Sequence, residues 1–123
     1  MTVAVARRPF TVDEYQRMRT AGILREDDRV ELIDGEVREM SPVGPLHAAI
    51  VRHLNLLLHQ SLAGSHVVSV QDPMQLSDYS EPQPDVAVLR ARSDFYADAH
   101  PTAEDVLLVI EVSDASLAYD REE

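Results

Sequence analysis

The pattern of apolar and polar positions predicts two helices in the first half of the chain. Over 46–62 the apolar residues recur every three or four positions, which predicts a long helix that Gly64 ends. Nearer the amino terminus, Thr11 and Glu14 have the spacing of a capping box, in which each side chain accepts a hydrogen bond from the other residue's amide. This box predicts a shorter helix that runs to Thr20.

A hairpin is predicted between these two helices. The segment 29–40, RVELIDGEVREM, carries Asp34-Gly35, a dipeptide typical of a two-residue turn between antiparallel strands. Pairing across this turn places Leu32 opposite Val37, so that two apolar side chains share one face.

Further strands are predicted in the second half of the chain, at 67–70, at 74–76 and at 85–89. The segment 106–112, VLLVIEV, is almost wholly apolar and rich in β-branched residues. This composition predicts a central strand that is buried on both faces.

This order of elements predicts one domain of the α/β or α+β class, with a mixed β-sheet flanked by helices. Since the chain stops about two turns into its last predicted helix, we expect a domain truncated at its carboxyl end. Its parts are an amino-terminal helix and hairpin at 10–40, a helix at 46–62, core strands within 66–112 and the start of a helix at 114–123.

The composition excludes several kinds of binding and catalytic site. The 123 residues carry a net charge of −11, which speaks against a general binder of nucleic acid or anionic membranes. The absence of cysteine excludes disulfides, thiolate nucleophiles and cysteine-ligated metals. All eleven basic residues are arginine, so Schiff-base chemistry and a P-loop lysine are excluded from these residues.

The charge is unevenly distributed. Residues 1–25 hold five arginines against two acids, while 26–123 hold six arginines against twenty acids. We interpret the early arginines as the solvated face of a short helix rather than as a phosphate-binding arm. No apolar stretch has the length of a signal peptide core or a membrane span, so the sequence predicts a cytoplasmic protein without membrane contact.

Two acidic residues are the main candidates for chemistry. Glu111 lies near the end of an otherwise apolar strand, where it either reaches solvent or has its charge offset by a partner. Asp85 follows Pro-Gln-Pro and, taken alone, is explained as a turn or capping residue. If the strands at 85–89 and 106–112 are neighbours, the two carboxylates face each other, and a divalent cation such as Mg²⁺ would offset their repulsion.

Two other residues have ordinary explanations beside functional ones. His47 is predicted in the first turn of the long helix, where a catalytic or orienting role stays open. Glu31 is predicted opposite Arg38 in the hairpin, and an exposed ion pair is the ordinary explanation for it.

Four blocks of the sequence, in the same order, resemble one bacterial family. It is the Uma family, which is described as restriction endonucleases and belongs to the PD-(D/E)xK nuclease superfamily. The resemblance implies a restriction-endonuclease-like core. The blocks are ELIDGEV at 31–37, HAAIVRHLN at 47–55, SEPQPDVAVL at 80–89 and PTAEDVLLVIEVSDASLAYDRE at 101–122.

The resemblance also implies roles for single residues. Asp85 would be the aspartate of the PD motif and Glu111 the acid of (D/E)xK, together holding Mg²⁺ or Mn²⁺. The backbone carbonyl of Val112 would be a third metal ligand, and Glu31 an additional catalytic acid. The implied reaction of the full-length protein is metal-dependent hydrolysis of DNA phosphodiester bonds. A homodimer is expected by analogy alone.

The chain departs from the family pattern at the lysine. Ser113 stands at the lysine position of (D/E)xK, and the family supplies its lysine about one turn beyond the aspartate that matches Asp120. We therefore expect this chain to bind metal but to cleave DNA weakly or not at all alone. The alternative is a non-catalytic dimerisation or regulatory module, which the acidic balance favours because DNA contact requires neutralised phosphates.

Overall fold

A computed structural model describes residues 4–113, which form two compact units. The first unit comprises residues 4–41 and 75–82, and the second comprises 42–74 and 83–113. The α+β class is confirmed, with two α-helices and two small sheets in the described residues. That the whole chain folds as one domain over 1–123 stays a prediction.

The first unit begins with the predicted capping box. Helix α1 spans Val12–Thr20, the hydroxyl of Thr11 accepts from the amide of Glu14 at 3.1 Å, and the Glu14 carboxylate accepts from the amide of Thr11 at 3.0 Å. Because both residues satisfy amides that a helix start leaves unpaired, the helix begins where the sequence predicts.

The predicted hairpin is also confirmed. Strands β1, Val30–Ile33, and β2, Glu36–Glu39, are antiparallel, and Leu32 lies opposite Val37. One face of β1 packs against α1, and the hydroxyl of Tyr15 donates to the carbonyl of Val30 at 3.2 Å. The core of this unit consists of the buried side chains Val12, Tyr15, Val30 and Leu32.

Most of the early arginines are engaged on the surface of this unit. Arg7 pairs with Glu36, Arg8 with Glu14 and Arg17 with Asp13, while Arg19 donates to the hydroxyl of Tyr15. The prediction of a single solvated helix face is therefore only partly right, because Arg17 and Arg19 lie on α1 whereas Arg7 and Arg8 precede it. Exposed ion pairs of this kind add little stability.

The second unit contains the long helix and a three-stranded sheet. Helix α2 spans Pro45–Leu62, one residue longer than predicted at its start because proline fits the first helical position. The carboxyl end of α2 differs slightly from the prediction that Gly64 ends the helix. The residue that caps the helix in the left-handed conformation is Ala63, one residue before Gly64.

The sheet of the second unit places β4 at its centre. Strands β3, Val67–Val70, β4, Val86–Leu89, and β5, Val106–Ile110, pair in the order β3-β4-β5, and a 3₁₀ turn at Ala103–Asp105 leads into β5. All four side chains of β4 are buried. The centre of the core is therefore the short strand VAVL rather than the longer apolar run.

Three strand predictions are wrong. In the described residues 106–112 is not a central strand, because β5 pairs with β4 alone and three of its side chains are exposed. The segment 74–76 is not a strand, because Met74 is instead buried against β4 and a turn follows at 77–80. The expected mixed sheet is replaced by antiparallel pairing, since no helix connects β3, β4 and β5 as a parallel crossover requires.

No helix among residues 4–113 is long and apolar enough to cross a membrane. The helix predicted at 114–123 lies outside the described residues.

Gly35 provides a test of the hairpin turn. Its φ is +80°, and a β-carbon there would stand 2.3 Å from Pro9 Cβ and 2.7 Å from Pro9 Cα. We expect Gly35→Ala to lower the free energy of unfolding by about 2 kcal/mol or more, because backbone strain and steric overlap add. Denaturant unfolding would measure this loss.

Gly22→Ala is the matched control for that variant. Gly22 has a φ of +79°, but nothing lies within 4 Å of its would-be β-carbon, so only the backbone strain of roughly 1 kcal/mol should appear. Equal losses for the two variants would show that the contact with Pro9 does not constrain the turn.

Candidate active site

The antiparallel register of β4 and β5 brings the two candidate carboxylates together. Val86 is paired with Ile110, so the residue before β4 and the residue after β5 are the next pair in register. These two residues are Asp85 and Glu111, and Glu111 is close enough to contribute to the electrostatics of Asp85. The strands are neighbours, as the prediction required, and the role of the two residues as metal ligands stays a prediction.

Asp85 is held on both of its carboxylate oxygens. His47 Nε2 lies 2.9 Å from Oδ1, and the amide of Val112 donates to Oδ2 at 2.8 Å. The side chains of Asp85 and His47 are only 13% and 12% exposed, whereas Glu111 is exposed. Asp85 therefore connects the first turn of α2, the start of β4 and the end of β5.

These contacts keep Asp85 ionised. Burial raises the pKa of Asp85, but the hydrogen bonds from the Val112 amide and His47 and the charge of His47, with a smaller effect from Glu111, outweigh it. The pKa of Asp85 consequently lies below its ordinary value of 3.8. An ionised carboxylate can only accept, so Nε2 of His47 carries the hydrogen in this contact.

The donor set fits a hard divalent cation. The part of the chain that the structure describes has no cluster of three or more histidine, aspartate and glutamate side chains that could hold a metal. Mg²⁺ does not require one, because it binds through one or two carboxylates and keeps water and phosphate at its other positions. Asp85 and Glu111 match that requirement, and the two bonds to Asp85 use about half of its lone pairs.

The other predicted site residues lie in different places. Glu31 is on β1 of the first unit, opposite Arg38, and its catalytic role stays a prediction. Ser113 is exposed and follows the site directly in sequence, while Asp120 lies outside the described residues. The amide of Val112 faces Asp85, and metal binding by its carbonyl stays a prediction.

Sequence reasoning missed two features of the structure. It left the role of His47 open, although the position of this histidine, in the first helical turn after a Pro-Gly loop, could have indicated a contact with the site. It also overlooked Glu81, which is 3% exposed in the first unit and whose two oxygens lie 2.9 and 2.7 Å from Gln16 Nε2. Nothing in the spacing of Gln16 and Glu81, 65 residues apart, indicates that contact.

The lowered pKa of Asp85 predicts an acid-dependent loss of stability in the metal-free protein. Its folded pKa is below the unfolded one, so the carboxylate stabilises the fold above pH 3.8, and this contribution is lost as the pH falls through the folded value. In EDTA at pH 7, we expect the free energy of unfolding of Asp85→Asn to be about 2 kcal/mol lower than that of the parent.

Denaturant unfolding from pH 7 down to pH 3 would check this prediction. The gap between the parent and Asp85→Asn should stay constant down to about pH 3.8 and narrow below it, and Asp98→Asn, an exposed aspartate, should follow the parent throughout. A gap that stays constant down to pH 3 would refute the assignment of the contribution to an ionised Asp85.

Comparison with known proteins identifies a family that matches nearly the whole chain. The family model Uma2, described as a putative restriction endonuclease, matches residues 12–123. No curated protein matches the chain. Since the match covers α1, both sheets and the Asp85–Glu111 pair, the chain belongs to the Uma2 family of putative restriction endonucleases.

Proposed function

We propose that this protein is a metal-dependent endonuclease that hydrolyses DNA phosphodiester bonds at Asp85 and Glu111. The carrying observation is the meeting of these two carboxyl groups at neighbouring strand ends, next to His47. Family membership supports nuclease activity. The geometry supports these particular residues as the place where it occurs.

Mg²⁺ or Mn²⁺ would be held by Asp85 and Glu111. Carboxylate oxygens are the ligands that these ions prefer, and a shared cation offsets the repulsion between two neighbouring carboxylates. When bound, the ion polarises the phosphate and lowers the pKa of a coordinated water.

The chain's own residues prepare this site. His47 and the amide of Val112 hold one oxygen each of Asp85, which restricts the rotation of its carboxylate. Glu111 is exposed, so the paired carboxylates are accessible from solvent on its side. In this arrangement Asp85 is a metal ligand oriented by its neighbours, and Glu111 is the ligand that solvent and substrate can reach.

The acidic charge supports the alternative, a non-catalytic module with a nuclease fold. Residues 26–123 carry twenty acids against six arginines, which opposes approach to DNA. In the alternative, Asp85 has only the structural role of joining α2, β4 and β5.

Metal titration separates the two functions. We expect Mn²⁺ and Mg²⁺ to bind saturably to the parent chain in calorimetry, and we expect Asp85→Asn and Glu111→Gln each to abolish that binding. His47→Ala should weaken it by roughly 10- to 100-fold, because residues that orient a ligand have effects of this size.

Glu104→Gln is the control, since it removes one exposed negative charge from the same unit without touching the carboxylate pair. It should bind the metals like the parent. If the parent does not bind the metals saturably, or if Asp85→Asn binds them like the parent, the proposed metal site is wrong and the non-catalytic module is favoured.

A further inference from the structure

The loop that follows β4 exposes an aromatic side chain in a strained conformation. Phe95 and Tyr96 both have positive φ values, +52° and +61°, which aromatic residues adopt at a cost. Phe95 is also 74% exposed, so burial of its ring does not compensate for that cost.

The loop is held firmly on both sides of Phe95. Arg92 donates twice to the carboxylate of Asp94 at 3.1 Å, and Asp94 accepts from the amide of Tyr96 at 3.3 Å. The hydroxyl of Tyr96 donates to the carbonyl of Arg90 at 2.6 Å, and the guanidinium of Arg92 lies 4.8 Å from the Tyr96 ring centre. These contacts fix Tyr96 in the loop and keep the ring of Phe95 in solvent.

Phe95 borders a cleft within the second unit. The cleft has a volume of about 340 Å³, at the lower end of the range of small-molecule sites. Its apolar walls include Leu89 and Tyr96, and its polar lining includes Ser69, Asp72 and His100. Aromatic side chains beside polar groups suit a planar ligand that has hydrogen-bonding edges.

We propose that this cleft binds a nucleobase, and guanine best, next to Phe95. This inference rests on the proposed nuclease function, since it names the part of the nucleic acid that the protein contacts away from the scissile phosphate. A base fits the cleft in size, and an exposed aromatic ring offers it a stacking surface.

Asp72 supports guanine in particular. Its carboxylate can only accept, and guanine has two adjacent N–H donors on one edge that match two carboxylate oxygens. Ser69 lies 3.4 Å from Oδ2 of Asp72 and donates to it, which orients the carboxylate. The negative charge of Asp72 also disfavours a phosphate in the cleft, so that the base rather than the backbone enters.

Titration with nucleosides tests this proposal. Guanosine, cytidine and thymidine are uncharged, so the acidic surface of the chain does not repel them. With the full chain in EDTA, we expect guanosine to shift the amide NMR signals of Phe95 and Tyr96 saturably. We also expect guanosine to bind with higher affinity than thymidine. Phe95→Leu should weaken guanosine binding by about 5- to 100-fold, because stacking is lost.

Two other variants complete the design. Phe10→Leu, at a partly exposed phenylalanine of the first unit, should bind guanosine like the parent. Asp72→Asn should reduce guanosine binding to the level of thymidine, which tests the cleft without changing Phe95. No saturable shift with any nucleoside, or equal affinity in the parent and Phe95→Leu, would overturn the proposal.

The same titration on Asp85→Asn separates this inference from the proposed function. Nucleoside binding in EDTA should persist in Asp85→Asn, since the cleft does not include Asp85. If the parent binds guanosine but no metal, the cleft proposal is supported and the proposed metal site is wrong. If metal binding succeeds while Phe95→Leu changes nothing, the cleft proposal alone is wrong.

Discussion

The carboxylate of Asp85 is the constraint on which the second unit depends. It accepts from the ring of His47 and from the amide of Val112, so one side chain connects the first turn of α2 to the ends of β4 and β5. A buried carboxylate without such donors would be costly, and here the two donors offset that cost. The contacts that stabilise the fold at this point are the same contacts that orient the proposed metal ligand.

The position of β4 explains why the site forms at this edge of the sheet. β4 pairs on both sides and buries all four of its side chains, so its two ends have little freedom to shift. The antiparallel pairing with β5 places the residue that follows β5, Glu111, beside the residue that precedes β4, Asp85. A shift of one residue in that register would separate Glu111 from Asp85 and would turn the apolar side chains of β5 to the opposite faces.

The two proposed sites lie near opposite ends of β4. Asp85 precedes the strand and Leu89, which lines the cleft beside Phe95, ends it. Four residues of extended backbone span roughly 13 Å. A strand of nucleic acid whose phosphate contacted the carboxylates could therefore place a base a few nucleotides away in the cleft, and the rigidity of β4 would keep that spacing constant.

Local patterns in the sequence were sufficient for α1, the hairpin and α2, because a capping box, an Asp-Gly turn and apolar spacing act between near neighbours in the chain. The positions of Asp85 and Glu111 beside predicted strands were also sufficient to select them as candidates, and the family resemblance then implied their roles. Local patterns were not sufficient for β5, since an apolar run has the same composition at the edge of a sheet as at its centre, and the number of paired neighbours decides between the two. Only the tertiary structure decided that His47 and the Val112 amide hold Asp85, because these contacts join residues 38 and 27 positions apart.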